Sequence, residues 1–371
     1  MKTVTDISDG VLWNLLAGHA PVISVYYALD ARPEQEEDAE LRWKALVQQL
    51  AEQTTDGREA MQAVARQALA ALPGSGTLAA FASDGELVHV TEMPGARQTD
   101  LVQYGPLPHL LPLLEWRQDH PAYVLAVCDR TGADLEICPE AGTRPVRETV
   151  DGPDDEIVRN APGGWSQMRY QHRAEDSWEH NAAHVADALS RAVARVSARL
   201  VLLAGDVRAV QYLTKHLPKA VRHQVRIRGV SGSRSHDGAF DGRRAQVEAE
   251  RRREGERQTR ELLQEMAEER GPRGRTVDGV RETTEALARG QVGALVLTHD
   301  PSDTRTAWFG PGPTDISDRQ MPDQSGTGLS PGSLADVAAR AALLTDADVR
   351  VVPPGTEGAP AHGVGALLRY T

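Results

Sequence analysis

Residues 167–200 constrain the fold most, because they form 34 consecutive positions with neither glycine nor proline. Apolar and small residues recur in this stretch at three- and four-residue steps, which is the period of an amphipathic helix. Ser166 stands immediately before it, in the position of an N-cap residue. The sequence therefore predicts one long helix over 167–200 that packs one face against a core.

The segment before this helix reads Ala-Pro-Gly-Gly-Trp-Ser-Gln at 161–167, and we call it the Gly-Gly tip. Two adjacent glycines lack Cβ atoms, so the backbone there can adopt positive φ and pass close to another surface. No acidic residue lies between Glu156 and Glu175. The basic residues around the glycines are Arg159, Arg169, His172 and Arg173. We therefore expect an anionic target for the tip.

The charge of the chain is unevenly distributed. The net charge of -12 argues against nonspecific coating of nucleic acid. Residues 145–275, however, hold 24 Lys/Arg and 20 Asp/Glu, whereas the rest of the chain holds 17 and 33. Within 215–244 there are eight basic residues and two acids. This asymmetry predicts a middle segment that faces RNA or another polyanion, flanked by acidic domains.

Composition and motifs narrow the protein class. A length of 371 residues indicates two or three domains. Cys128 and Cys138, the two cysteines, end apolar, strand-like runs and are expected to be buried thiols of a cytoplasmic protein. No signal-peptide pattern and no apolar run of about 20 residues is present, so we expect no membrane partner. Phosphate-loop, dinucleotide-binding and serine-hydrolase motifs are missing, so no cofactor is expected.

The order of elements predicts a mixed α/β (α+β) chain with domains at 1–140, 141–271 and 272–371. In the first domain, strands and helices alternate irregularly, which favours an α+β sheet over a doubly wound one. Residues 139–155, rich in Pro, Gly, Thr and acids, are predicted as a linker. The third domain is predicted to be a small α/β/α sandwich. Its main expected elements are a helix at 277–289, a strand at 292–298, a loop at 311–332 and a helix at 334–344.

Residues 221–230 carry a second basic feature. Strict alternation from Val225 to Arg228 predicts a half-buried strand with Arg226 and Arg228 on one face. That face suits RNA phosphates, or acids of the charged helix predicted at 243–270. Both possibilities stay open from the sequence.

Taken together, the domain order resembles the archaeal–eukaryotic class-1 release factor and Pelota family. The similarity is greatest to its bacterial branch, which includes Balon-like ribosome hibernation factors and actinobacterial stress-linked members. The resemblance covers the whole chain in architecture: an N-terminal α/β domain, a Gly-Gly loop before a long helix, and a C-terminal sandwich. The stretches that carry it are Gly163-Gly164-Trp165-Ser166-Gln167 with Arg169 and Tyr170 following, and residues 277–300.

In release factors the tip reads Gly-Gly-Gln, and the glutamine orders the water that attacks the peptidyl-tRNA ester. Gly163 and Gly164 match that motif, but Trp165 stands where the glutamine belongs. Gln167, two residues later, is the catalytic candidate that remains, and a displacement of several Å is enough to remove catalysis. The first domain also lacks Asn-Ile-Lys-Ser, so stop-codon reading of the eukaryotic kind is not supported.

The resemblance thus implies a factor that binds the ribosomal A site, in hibernation or protection under stress, without chemistry of its own. The N-terminal domain would face the decoding centre, the tip would face the rRNA of the peptidyl transferase centre, and elongation factor Tu is the candidate delivery partner. Trp165 would either stack on RNA or pack the loop onto its own helix. The expected ribosome contacts are Gly163, Gly164, Trp165, Ser166, Arg159, Arg169, Arg173, Arg226 and Arg228.

Two alternatives belong to other classes. A peptidyl-tRNA hydrolase acting in peptide release or ribosome rescue would use Gln167 after a rearrangement of the loop. An oligomeric α/β regulatory protein would place its basic patch against an acidic patch of its neighbour. The sequence favours the non-enzymatic factor over both.

Overall fold

The computed structural model divides the chain into two compact units. Residues 1–116 and 259–371 form the terminal unit, and residues 117–258 form the central unit. The structure describes residues 10–18, 20–29, 36–55, 59, 61–65, 76–96, 98–141, 145–152, 166–234, 240–271, 273–320 and 328–370.

The N-terminal part of the terminal unit is built on an antiparallel sheet. Its elements are α1 (Gly10–Ala17), β1 (Val22–Leu29), α2 (Glu36–Gln53), β2 (Gly76–Ser83), β3 (Glu86–Pro94), β4 (Leu101–Gly105) and α3 (Leu111–Gln118). The strand order is β3-β2-β1-β4, and every pairing is antiparallel. Alternate residues of β1, such as Ile23 and Val25, pack with Leu46 and Leu50 of α2. The predicted α+β arrangement is confirmed here.

The central unit places helices on both faces of a five-stranded sheet. Its elements are β5 (Tyr123–Cys128), β6 (Gly132–Cys138), β7 (Val146–Asp151), α4 (Ser166–Arg195), β8 (Leu200–Gly205), α5 (Val207–His216), α6 (Lys219–Gln224), β9 (Arg226–Gly229) and α7 (Phe240–Glu268). The strand order is β7-β6-β5-β8-β9, and β8 pairs in parallel with both β5 and β9. Val185 and Leu189 of α4 and Leu213 of α5 pack on one face. Val247 of α7 packs on the other.

The C-terminal part of the terminal unit contains a four-stranded sheet and a three-stranded sheet. Its elements are β10 (Thr276–Asp278), α8 (Val280–Ala288), β11 (Val292–Thr298), β12 (Thr306–Phe309), β13 (Ile316–Ser317), β14 (Ser330–Ser333), α9 (Leu334–Leu344), β15 (Asp348–Val352) and β16 (Val364–Leu368). The strand orders are β10-β16-β11-β15 and β13-β12-β14.

Two helical layers enclose the four-stranded sheet. Leu263 and Met266 at the end of α7 pack against Val296 of β11. Leu295 and Leu297, which alternate with Val296, are buried toward the opposite face, where α9 contacts β11 and β15. The predicted α/β/α sandwich is confirmed, and the end of α7 supplies its third layer.

Helix α4 confirms the long helix predicted from the sequence, with an earlier end. It stops at Arg195, because Ser197 adopts a left-handed φ of 50°. The amide of Ala198 donates to Val193 O at 3.0 Å and that of Ser197 to Ala194 O at 3.4 Å. These two bonds form a Schellman motif, which satisfies the last carbonyls of the helix.

Two sequence predictions around the central sheet are wrong. Residues 139–155 are not a plain linker, because they include β7, which pairs with β6 over its whole length. The segment 221–230 is not a strand throughout. Its first four residues belong to α6, and only Arg226–Gly229 extends the sheet.

Two predictions in the C-terminal part also need correction. The segment 277–289 begins as β10 and becomes helical only at Val280, because Gly279 adopts a φ of 111° between the two elements. The loop predicted over 311–332 contains β13 and the start of β14. The domain limits after residues 140 and 271 stay a prediction about independently folding domains. Among the described residues, no helix is long and apolar enough to cross a membrane.

Candidate nucleic-acid interface

The centre of the Gly-Gly tip lies outside the described residues, together with Arg159, Gly163, Gly164 and Trp165. The described backbone resumes at Ser166, the first residue of α4. Gln167, Arg169 and Arg173 therefore have helical backbone in the opening turns of α4, and their side chains lie outside the described part. Their roles in RNA contact or catalysis stay predictions.

Helix α4 forms a rod behind the tip. Its 30 residues correspond to a length of about 45 Å at 1.5 Å per residue. The second half is fixed on the sheet by Val185, Leu189 and Val193, which are at most 3% exposed. Glu179 adds a polar anchor, because it accepts hydrogen bonds from Lys215 Nζ at 2.6 Å and His216 Nε2 at 3.1 Å on α5. The helix that begins at Ser166 is therefore anchored in a packed core.

The chain that leads into the tip is held against the middle of α4. The amide of Gly152 donates to Thr131 O at 2.7 Å, and Asn181 Nδ2 donates to Arg130 O at 3.1 Å. A Cβ on Gly152 would lie 2.1 Å from Asn181 Cγ, so only glycine allows this approach. Asn181 lies about 22 Å along the helix axis from Ser166. The tip segment therefore begins and ends at two separate points of one rod.

Arg234 interacts with three aspartates near the β5–β6 turn. Arg234 Nη1 donates to Asp129 Oδ1 at 2.9 Å, and Nη2 donates to Asp134 Oδ1 at 3.2 Å. Asp151, the last residue of β7, lies 3.7 Å from Nη2. Burial alone would raise the pKa of Asp129, but hydrogen bonds from Thr131 and Arg234 lower it overall. Arg234 lies in the segment that follows β9, and it therefore links that segment to the β5–β6 hairpin.

The two predicted arginines of β9 share one face of the strand but differ in their surroundings. Arg228 is half-buried, and its Nε lies 3.8 Å from Glu250 Oε2 of α7. An acid of the charged helix is thus a partner of Arg228, as one of the two sequence hypotheses held. Arg226 is exposed, and no ion pair in the described part of the chain includes its side chain. Of the two, Arg226 is the one open to an external phosphate.

The two cysteines are free and buried, as predicted. Burial raises the pKa of the Cys128 thiol to about 12 and also raises that of Cys138. Such thiols are poor nucleophiles at neutral pH. Within the described residues, no group of three or more His, Cys, Asp or Glu side chains could hold a metal ion.

Sequence reasoning missed Asn181 and Arg234. Asn181 is one polar residue within the long predicted helix, and its contact with Arg130 O depends on how β5, β6 and α4 pack. Arg234 belongs to the basic stretch 215–244, which the charge count had singled out. The charge count locates the basic residues along the sequence, but it does not indicate which aspartates Arg234 contacts.

Comparisons with known proteins give a match to one family model and a relative of similar length. A model of bacterial archaeo-eukaryotic release factor family 2 matches residues 122–272. Uncharacterized protein Rv2629 of Mycobacterium tuberculosis (strain ATCC 25618 / H37Rv) is 28% identical over 391 residues, which cover 98% of this chain and 96% of that protein.

Two solved structures also align with 98% of this chain. The archaeal translation termination factor aRF1 is 14% identical, with 97% of its chain covered and a TM-score of 0.26. A chain of the model of ribosome-bound archaeal Pelota and ABCE1 is 12% identical, with 94% covered and a TM-score of 0.42.

The family match spans all the described elements of the central sheet, together with α4 and α7. It thus includes the Gly-Gly tip and the rod behind it. The resemblance to the release factor and Pelota family is confirmed over residues 122–272, which match the model of bacterial archaeo-eukaryotic release factor family 2.

Proposed function

We propose that the protein is a ribosome-binding translation factor that occupies the A site. The observation that carries this proposal is the match of residues 122–272 to a release factor family. The matched segment is the one in which two glycines precede the long helix α4. A factor with this arrangement needs the tip to reach a distant RNA site while its base remains folded.

The geometry of α4 supports a reaching role. The rod is about 45 Å long, and contacts from Glu179 onward fix it to the sheet and to α5. Positioning a tip by a packed helix avoids the loss of conformational entropy that a free loop would undergo on binding. The basic residues next to the glycines suit an RNA target.

Within this class, we propose ribosome hibernation or protection under stress, without chemistry of its own. Trp165 takes the place of the glutamine that would order water. The nearest glutamine, Gln167, has helical backbone in the first turn of α4, which supports a position set by the helix rather than by a mobile loop. An indole at the tip offers a stacking surface for a base, which is sequence-tolerant binding.

The proposed partners follow from the family. The N-terminal part would face the decoding centre, and elongation factor Tu would deliver the protein. Peptidyl-tRNA hydrolysis is the competing function, and it predicts a measurable release rate that Gln167→Ala abolishes. The non-catalytic proposal predicts that wild type and Gln167→Ala release peptide no faster than buffer.

Cosedimentation with vacant 70S ribosomes tests the proposal. We expect wild type to bind at low salt, and Gly163→Ala/Gly164→Ala/Trp165→Ala to bind about tenfold or more weakly, because base stacking contributes roughly 1–3 kcal/mol per base. A matched control changes the same residue types elsewhere, as Gly105→Ala/Gly242→Ala/Trp13→Ala. A Cβ meets only ordinary contacts at Gly105 and nothing within 4 Å at Gly242, and Trp13 is 45% exposed.

The control should bind like wild type over the whole salt series. If wild type failed to sediment with ribosomes even when elongation factor Tu was added, the proposed function would be abandoned. Equal binding by wild type and the tip variant would show that the tip is not part of the interface with the ribosome.

A further inference from the structure

Four cationic residues flank the starts of β8 and β9, and we call them the basic edge: Arg199, Lys219, Arg222 and Arg226. β8 and β9 are parallel neighbours, and Arg226 is paired with Leu200 in their register. The amide of Arg226 donates to Arg199 O at 2.7 Å. The two arginines therefore flank the starts of adjacent strands. Nothing in the sequence spacing of 27 positions indicates this proximity.

Helix α6 adds the other two charges immediately before β9. Lys219 and Arg222 are three residues apart, so they lie on one face of the helix. Val221 packs against the core of the sheet, and the amide of Val225 closes the helix on Val221 O at 2.9 Å. Packing of Val221 thus turns the two cations toward solvent, where both are exposed.

The charges of the basic edge are uncompensated within the part of the chain that the structure describes. All four residues are exposed, and no ion pair or side-chain hydrogen bond among the described residues includes them. Two neighbouring arginines, by contrast, have acidic partners. Arg195 Nη1 lies 2.7 Å from Glu148 Oε1, and Arg228 Nε lies 3.8 Å from Glu250 Oε2. Four unpaired cations on one edge stand out in a chain whose net charge is -12.

The basic edge also lies at an open border of the sheet. β9 is the last strand in the order β7-β6-β5-β8-β9, so its outer side pairs with no described strand. Guanidinium groups match phosphate oxygens with paired N–H donors, and a row of such groups follows a nucleic-acid backbone without reading bases. Acidic surfaces elsewhere on the chain would repel RNA, which favours approach through this edge.

We propose that the basic edge binds the phosphate backbone of ribosomal RNA, as a second contact of the central unit that is separate from the Gly-Gly tip. The identity of the RNA as ribosomal rests on the proposed function; the phosphate-binding property does not. The contact would be independent of base sequence and strongly dependent on salt. Arg228 takes no part, because it faces Glu250.

The test compares two triple variants with equal loss of charge. One is Arg199→Gln/Arg222→Gln/Arg226→Gln. The control, Arg281→Gln/Arg289→Gln/Arg319→Gln, removes three exposed arginines that surround Glu285 in the terminal unit. Binding to poly(U) is measured by filter binding and binding to 70S ribosomes by cosedimentation, each over a KCl series. Circular dichroism confirms that both variants stay folded.

We expect the edge variant to bind both RNA targets about 10- to 100-fold more weakly at low salt, with a salt slope lower by about 2, since each lost phosphate contact on a single strand removes about 0.7. The control should stay within about twofold of wild type. An unchanged slope for the edge variant, or no RNA binding by wild type, would overturn the inference. Loss of ribosome binding with poly(U) binding unchanged would also overturn it, because the partner would then be a ribosomal protein.

The outcomes separate this inference from the proposed function. If wild type binds poly(U) through the basic edge but does not bind ribosomes, the phosphate site stands and the proposed function fails. If the tip variant loses ribosome binding while the edge variant keeps it, the proposed function stands and the inference is wrong.

Discussion

Gly205→Ala is expected to destabilise the central unit by roughly 2–6 kcal/mol, from backbone strain and overpacking of about 1–3 kcal/mol each. Gly205 ends β8 with a φ of 111°, a conformation that L side chains rarely adopt. A Cβ there would lie 1.9 Å from Cys128 O and 2.8 Å from Cys128 N on β5. Both strands are central, so neither can move away without disturbing the core.

The same turn also begins α5. The amide of Asp206 donates to Cys128 O at 2.9 Å, and the Asp206 carboxylate caps α5 by accepting from Arg208 N and Ala209 N. A shift at Gly205 would therefore misplace the helix that anchors Glu179 of α4. Gly205→Ala is therefore expected both to lower the stability of the central unit and to weaken the contact between α5 and Glu179 of α4.

Urea unfolding followed by circular dichroism measures this effect. The matched control is Gly229→Ala on β9, where a Cβ would meet nothing within 4 Å, so the expected change is below about 1 kcal/mol. A Gly205→Ala protein as stable as the control would show that β5 and β8 tolerate a side chain there.

Arg340→Met is expected to destabilise the terminal unit by roughly 3–5 kcal/mol. The buried acceptor Leu16 O would be left unsatisfied at a cost of about 1–3 kcal/mol, and the two hydrogen bonds to partly buried acceptors contribute about 1 kcal/mol each. Arg340 is 1% exposed and donates to three main-chain oxygens, Leu16 O at 2.8 Å, Pro311 O at 3.1 Å and Gly312 O at 3.1 Å. Its guanidinium also lies 5.2 Å from the Phe309 ring centroid. Burial lowers the pKa of Arg340, but a guanidinium stays protonated in proteins.

Two further substitutions calibrate the Arg340 result. Arg340→Lys keeps a charge but cannot reach three acceptors from one ammonium, so an intermediate loss is expected. Arg289→Met removes an exposed arginine that pairs with Glu285 at 3.4 Å, and its cost should stay below about 1 kcal/mol. If Arg340→Met unfolds at the same denaturant concentration as Arg289→Met, the three hydrogen bonds contribute no net stability.

Local patterns accounted for the elements that depend on local sequence. The long helix after Ser166 and the helix Leu334–Leu344 follow from apolar periodicity without glycine or proline. β7 was missed because its side chains are mostly exposed, so no apolar alternation marks it. The helix before β9 was missed because Val221 and Val225 fit a strand as well as a single helical turn.

Contacts between distant residues could not be predicted. Arg340 and Leu16 are 324 positions apart, and Arg234 reaches Asp134 across 100 positions. Which carboxylate or carbonyl an arginine meets depends on sheet order and register, and no spacing rule encodes these. The chemistry of the tip was suggested by residue types and family resemblance, whereas the basic edge became visible only once β8 and β9 were paired.

Directed hydroxyl-radical probing tests the central claim most directly. Cys128 and Cys138 are buried with raised pKa values, so iron–EDTA can be attached selectively to an introduced thiol. Ser166→Cys places the probe beside the tip, and Glu357→Cys, at an exposed site of the terminal unit, is the control. The proposed function predicts cleavage of 23S rRNA in the peptidyl transferase centre from position 166 and not from position 357. Cleavage from position 166 confined to other parts of the ribosome, or none above background, would contradict it.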